Sequence, residues 1–198
     1  MPIKVMAAPK DARKLLQAGI EKHLAAGLVD AELARIEGLG APHRVFHLGL
    51  DALVAGTPIA KAARLVGWRA TLVDRARKAI AAAELIAKGS ALSFACVARG
   101  GHVAGIDASE AAAEAWSRRA KGDHELALLR VPGAYCVALW LRGADGGRDA
   151  FIPIAPCPAG LKPNAIYAEA ELRAALLPEA KKQLAAPQEG QTTGRTTR

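Results

Sequence analysis

Apolar positions concentrate between Glu125 and Pro156, where three runs rich in Leu, Val, Ile and aromatic residues are separated by Pro132-Gly133 and by the segment 143–147. This pattern predicts an antiparallel three-strand meander. Leu126 and Leu128 share one face of its first strand. In the second, Tyr135, Val137, Leu139 and Leu141 share one face, while Cys136, Ala138 and Trp140 line the other. A strand apolar on both faces is central in its sheet, so helices must cover it. The expected fold class is α+β: an antiparallel or mixed sheet centred on residues 125–156, covered by alanine-rich helices, with an N-terminal helical hairpin.

Helical periodicity supplies those covers. Ala12, Leu15, Leu16, Ile20 and Leu24 recur on one face of a helix over 10–26, stopped by Gly27. Asp30 offers an N-cap to a short second helix carrying Leu33 and Ile36, which Gly38 and Gly40 end, completing the hairpin. A short helix capped by Asp51 and ended by Gly56 is expected next. Thr57-Pro58 then opens a helix through Ile59, Ala62, Ala63 and Val66 that Gly67 stops. Ile80, Ala83 and Ala87 predict a helix over 75–88. Asp107 and Glu110 resemble a capping box for a helix over 108–120, with Trp116 inward. Leu172, Leu176, Ala180 and Leu184 predict a last helix over 167–185, kinked or split by Pro178. Strands are expected at 43–48 and 91–97. Pro42 marks a boundary, and the polar run from Pro187 is expected to be disordered. The expected organisation is a hairpin over 1–40, an α+β domain over 41–186 and a tail over 187–198.

Three stretches resemble segments of bacterial proteins. AAGLVDAELARIEGLG, residues 25–40, resembles the helix–Gly-Leu-Ile/Val–helix pattern of bacterial SHOCT segments, which implies self-association or docking. HRVFHLGLDALVAG from His43 and RVPGAYCVALWLRG from Arg130 are similar to bacterial proteins without an assigned activity. That likeness spans most of residues 43–185 and implies no residue role, but in such proteins Gly67-Trp68-Arg69 enters a strand.

Composition narrows the classes. The chain has 198 residues, 52% of them hydrophobic but only 4% aromatic, so a core of small, close-packed side chains is expected. Enrichment in Gly, Ala and Arg points to a GC-rich bacterial genome. Cys96, Cys136 and Cys157 are widely spaced and odd in number, which fits free thiols in a reducing cytoplasm. Lysine precedes any apolar run of signal-peptide length, and no stretch approaches the roughly 18 apolar residues of a membrane helix. A cytoplasmic protein without a membrane partner is expected. The formal charge of +8 favours anionic partners or serves solubility.

Candidate chemistry is sparse. Residues 59–78 resemble a helix-turn-helix, with Ala63 in the helix contact and Gly67 in the turn, so Arg69, Arg75, Arg77 and Lys78 become candidates for phosphate or base contacts. Thr71-Leu72-Val73 suits a strand equally well. Arg99, His102 and the glycines from Gly100 to Gly105 are a candidate small-anion site, although the glycines also suit a tight hairpin. Ile106 and Asp107 stand where a phosphate loop needs lysine and Ser/Thr. His43 and His47 share a strand face but lack a nearby third ligand, so no metal is assigned. Cys157 is a candidate thiol with His102 or His124 as partner. No catalytic residue set and no cofactor is identified. The leading expectation is a binding or assembly module with a protein partner or self-association through alanine-rich helix faces. DNA binding through 59–78 and a small-anion or thiol enzyme are the alternatives.

Overall fold

The computed structural model describes residues 3–4, 6–27, 33–89, 91–144 and 147–186. Helix α1 (Ala12–Ala25) is followed by a 3-10 turn at Leu33–Arg35 and strand β1 (Gly38–Leu39); β2 (His43–His47) leads to the short helices α2 (Leu50–Val54) and α3 (Ile59–Ala62). Then come β3 (Arg64–Val73), β4 (Ala79–Lys88), β5 (Ala91–Ala98), α4 (Gly101–Ala104) and α5 (Ile106–Ser117). The expected meander follows as β6 (His124–Val131), β7 (Cys136–Gly143) and β8 (Ala150–Pro153), and α6 (Glu169–Ala185) is the last element.

The eight strands among the described residues join one mixed sheet in the order β5-β4-β3-β2-β6-β7-β8, with β1 pairing β3 beside β2. The fold is α+β. Pairing of β2 with β6 is parallel, and it joins two antiparallel wings, β3-β4-β5 and β6-β7-β8. Register sets Val45, Leu128, Leu139 and Ile152 side by side on one face. There α4 and α5 cover them with Val103, Ile106 and Ala113. On the other face Ala127, Trp140 and Phe151 pack against α2, α3 and α6 through Leu53, Ile59, Leu172 and Leu176. Farther along that face Trp68, Leu72, Ala81 and Leu85 are covered by α1 through Ala12, Leu16 and Ile20. Each fully buried leucine or isoleucine contributes about 1.5–3 kcal/mol. Among the described residues no helix is long and apolar enough to cross a membrane.

Several local expectations are corrected. The helix opened by Thr57-Pro58 stops at Ala62, and Gly67 lies inside β3. Residues 75–88 form a turn and β4. Alanine favours helix in isolation, but β4 is buried on both faces at Ala79–Ala83, where small side chains let covering elements approach the sheet from either side. Residues 59–78 are therefore a short helix, a strand and a turn, not two helices. In that turn the Lys78 amide donates to Asp74 Oδ1 at 3.0 Å, and Arg77 adopts a left-handed φ of 63°. The glycine-rich segment after Arg99 forms α4 instead of a hairpin. Asp107 sits within the first turn of α5 and does not cap it; its Oδ2 accepts from the Ala79 amide of β4 at 3.1 Å. Tyr135 lies in a turn, since β7 begins at Cys136. Helix α6 continues through Pro178. The second helix of the N-terminal hairpin is the 3-10 turn, and α1 packs on β4 and β5. The Asp30 cap and the tail at 187–198 lie outside the described residues, as do residues 145–146 of the second meander turn.

Candidate functional site

The sheet splits at one end, and a cavity lies at the split. As far as His43 and Arg44, β2 alone lies between β3 and β6, with His43 opposite Arg69 and Arg44 opposite Ala127. Beyond that point two segments share its place. Leu39 and Gly38 pair with Leu72 and Val73 of β3, whereas Lys4 pairs with Glu125 of β6. Helix α5 lies beside the split, and the space enclosed is a cavity of about 660 Å³. That volume falls within the range of about 300–1,000 Å³ typical of small-molecule sites.

Its lining is mixed. Ile3, Val73, Ala113 and Leu126 supply apolar surface; Asp107, Glu110, Glu114, His43, Arg77 and Arg118 supply the polar groups. The three acidic residues stand three and four positions apart on α5, a spacing that keeps them on one helical face. Asp107 is engaged by the Ala79 amide, and Glu114 approaches the exposed Arg118 at 4.0 Å. The Glu110 side chain has neither a hydrogen bond nor an ion pair among the described residues. Burial pushes its carboxyl pKa up, and the charges of Asp107 and Glu114 push it further in the same direction. Arg77 likewise has no ion pair among the described residues.

His43 lines the same cavity at 3% exposure. A backbone hydrogen bond at Ala41 engages its ring, while Nε2 has no hydrogen-bond partner among the described residues. Burial, reinforced by Arg69, lowers its pKa to about 4, so the imidazole is neutral at pH 7. Behind it on the same sheet face lies a charge network. Arg69 Nη1 donates to Glu84 Oε1 at 3.2 Å, and Arg130 donates to both Glu84 oxygens. Burial raises the Glu84 carboxyl, but the hydrogen bonds and charge of Arg130, with Arg69, outweigh it and bring the pKa below its ordinary value.

The structure scatters the residues singled out in the sequence. Arg69 is buried in the network with Glu84. Arg75, Arg77 and Lys78 are exposed in the β3–β4 turn, Arg77 lining the large cavity. Lys78 and Arg99 meet with Arg35 and Asp74 in a separate groove of about 270 Å³. His102 lies on α4, its Nε2 hydrogen-bonded to the Pro156 carbonyl at 2.9 Å. Burial lowers its pKa, and Arg69 and Arg130 lower it further. The Cys157 thiol donates to the Leu161 carbonyl at 3.3 Å, and burial raises its pKa, which disfavours the nucleophilic thiolate. Among the described residues no group of three His, Cys, Asp or Glu side chains is placed to hold a metal. Sequence reasoning missed Glu110 and Glu84 as functional candidates. The signal for the first was the spacing of Asp107, Glu110 and Glu114.

Comparison of the chain with protein-family models, with curated proteins and with solved structures found no match.

Proposed function

We propose that this chain is a binding module for a small amine-bearing molecule, held in the cavity beside α5 with its ammonium group on Glu110. The observation that carries the reading is a half-buried carboxylate that lines a ligand-sized cavity and has no partner among the described residues. Ionised, Glu110 faces two further acids across partly desolvated space, and an ammonium ion relieves that repulsion while adding a charge-assisted hydrogen bond. Neutral His43, which lines the same cavity, adds an acceptor at Nε2. Arg77, which lines the same cavity, suits an anionic group of the ligand, so a short zwitterion fits the lining better than a simple cation.

Isothermal titration calorimetry with putrescine, 4-aminobutyrate and butyrate tests this directly. Binding of both amines but not of butyrate is expected, with Glu110→Gln weakening the amines about ten-fold or more, equivalent to about 1.4 kcal/mol. Arg77→Ala is expected to weaken 4-aminobutyrate alone. No heat with any probe, or unchanged affinity in Glu110→Gln, contradicts the reading.

A second reading, nucleic-acid binding, is favoured by one observation: Arg75, Arg77 and Lys78 crowd an exposed turn beside the groove that holds Arg35 and Arg99. Such a patch engages phosphates without requiring a recognition helix. Its affinity for a DNA duplex should fall about ten-fold or more between roughly 50 and 200 mM salt and be lost in Arg75/Arg77/Lys78→Ala. Absence of binding at the lower salt removes this reading.

A further inference from the structure

The groove of about 270 Å³ beside the β3–β4 turn gathers cations from three segments distant in sequence. Arg35 comes from the 3-10 turn, Lys78 from the turn before β4 and Arg99 from the link between β5 and α4. Among the described residues that line the groove, Asp74 is the one acid, and both its oxygens are engaged. Oδ2 accepts from Arg35 Nη2 at 2.9 Å and Oδ1 from the Lys78 amide at 3.0 Å. Three cations against one carboxylate leave a formal excess of two positive charges. The rest of the lining is apolar, and Ala79, Ile80 and Val103 within it are buried. A cleft that carries one sign of charge over low-dielectric walls focuses the field inside it and concentrates counter-ions there.

We propose that this groove binds a terminal phosphate group, as inorganic phosphate or as the end of a phosphate monoester. Its volume lies below the range of about 300–1,000 Å³ usual for small-molecule sites, so it admits one compact group. Cations brought from three segments can meet different oxygens of a tetrahedral anion, the guanidinium groups as planar forks and the ammonium as a point charge. A carboxylate offers one charge on two oxygens in a single plane. A phosphate diester carries substituents on two sides, which so small a groove excludes. In sequence, Arg99 is coupled with His102 as an anion site. In the fold, His102 Nε2 is engaged by the Pro156 carbonyl at 2.9 Å, and Arg35 and Lys78 stand with Arg99 instead. Arg75 and Arg77 of the exposed turn lie outside this lining, so the site is separate from a surface patch that tracks a nucleic-acid backbone.

Calorimetric titration of the full chain in phosphate-free buffer with inorganic phosphate, glycerol 3-phosphate, dimethyl phosphate and acetate tests the proposal, with backbone amide NMR shifts recorded on the same samples. Saturable binding is expected for the first two and none for the last two. Whichever of the first two binds more tightly identifies the source, free phosphate or monoester. The Gly100 and Ala104 amides should shift with the same saturation. Lys78→Gln and Arg99→Gln, both at exposed positions, are each expected to weaken phosphate about ten-fold or more. Lys88→Gln removes the same unit of charge outside the groove and should leave the affinity unchanged. Absence of binding by both phosphate compounds overturns the proposal, as does acetate or dimethyl phosphate binding as tightly as phosphate. Equal weakening by Lys88→Gln would show diffuse attraction to a basic chain and overturns it too. Phosphate binding that leaves the Gly100 and Ala104 amides unmoved places the anion elsewhere and overturns it without reliance on any variant.

Discussion

Arg69 of β3 and Glu84 of β4 are direct cross-strand neighbours, with Arg69 Nη1 3.2 Å from Glu84 Oε1. Glu84 is also the partner of Arg130, so one carboxylate neutralises part of the charge of two guanidinium groups on a largely covered sheet face. Removing one member of such a pair leaves charge uncompensated in a poorly solvated place. Glu84→Gln is expected to destabilise the fold by about 2–3 kcal/mol, read as a lower denaturant midpoint at pH 7. Because the folded-state pKa of Glu84 is lowered, its contribution is present above the unfolded value of roughly 4.3 and is lost as pH falls through the folded value. The gap between wild type and variant should therefore close in acid.

His43 has the opposite dependence from a paired histidine. Its pKa falls from 6.5 to about 4 in the folded chain, so between those values the unfolded chain binds the additional proton. Stability attributable to His43 is full above the unfolded pKa and declines as pH drops from 6.5 towards 4. The loss is on the order of 3 kcal/mol. His43→Gln should remove that part of the slope in equilibrium denaturation across the same window, whereas a slope identical to wild type would show that the imidazole is not buried as described.

Gly67 sits where β3 and β4 press together. A Cβ there overlaps the carbonyl oxygen of Leu85, a backbone atom that cannot swing away. Gly67→Ala is expected to cost on the order of 3 kcal/mol, through displacement of the strand pair rather than any change in backbone preference. Thermal melting of Gly67→Ala beside Gly56→Ala separates the two causes. Gly56 has a positive φ of 74° and open space around it, so its substitution tests conformation alone.

Much of the architecture is legible where the hydrophobic period is unambiguous. The meander, α1, α5 and α6 carry clear twofold or helical repeats, and they stand close to the expected positions. The hairpin β3–β4 does not announce itself. Ala79–Ala83 reads as helix by propensity, and only the covers on both faces of the sheet make an alanine strand favourable. Nothing local in the sequence records that α4 and α1 are those covers. The cavity is harder still, because its walls come from Ile3, the β1–β2 link, β3, α5 and β6, and the split between β1 and Lys4 depends on long-range register. Asp107, Glu110 and Glu114 were visible as a spacing, but the first two also fit a capping box. The competing role of Asp107, a bond to the Ala79 amide, requires the third dimension.

If the cavity binds its ligand through Glu110, carboxyl-carbon NMR titration of that residue with and without 4-aminobutyrate will register the contact. In the free chain its midpoint should lie above the ordinary glutamate value, because burial and the neighbouring acids disfavour its charge. Bound ammonium favours the ionised form, so the midpoint should fall on addition of the amine while butyrate leaves it in place. A midpoint that the amine does not move, at concentrations where calorimetry reports binding, would place the ligand elsewhere and contradict the account.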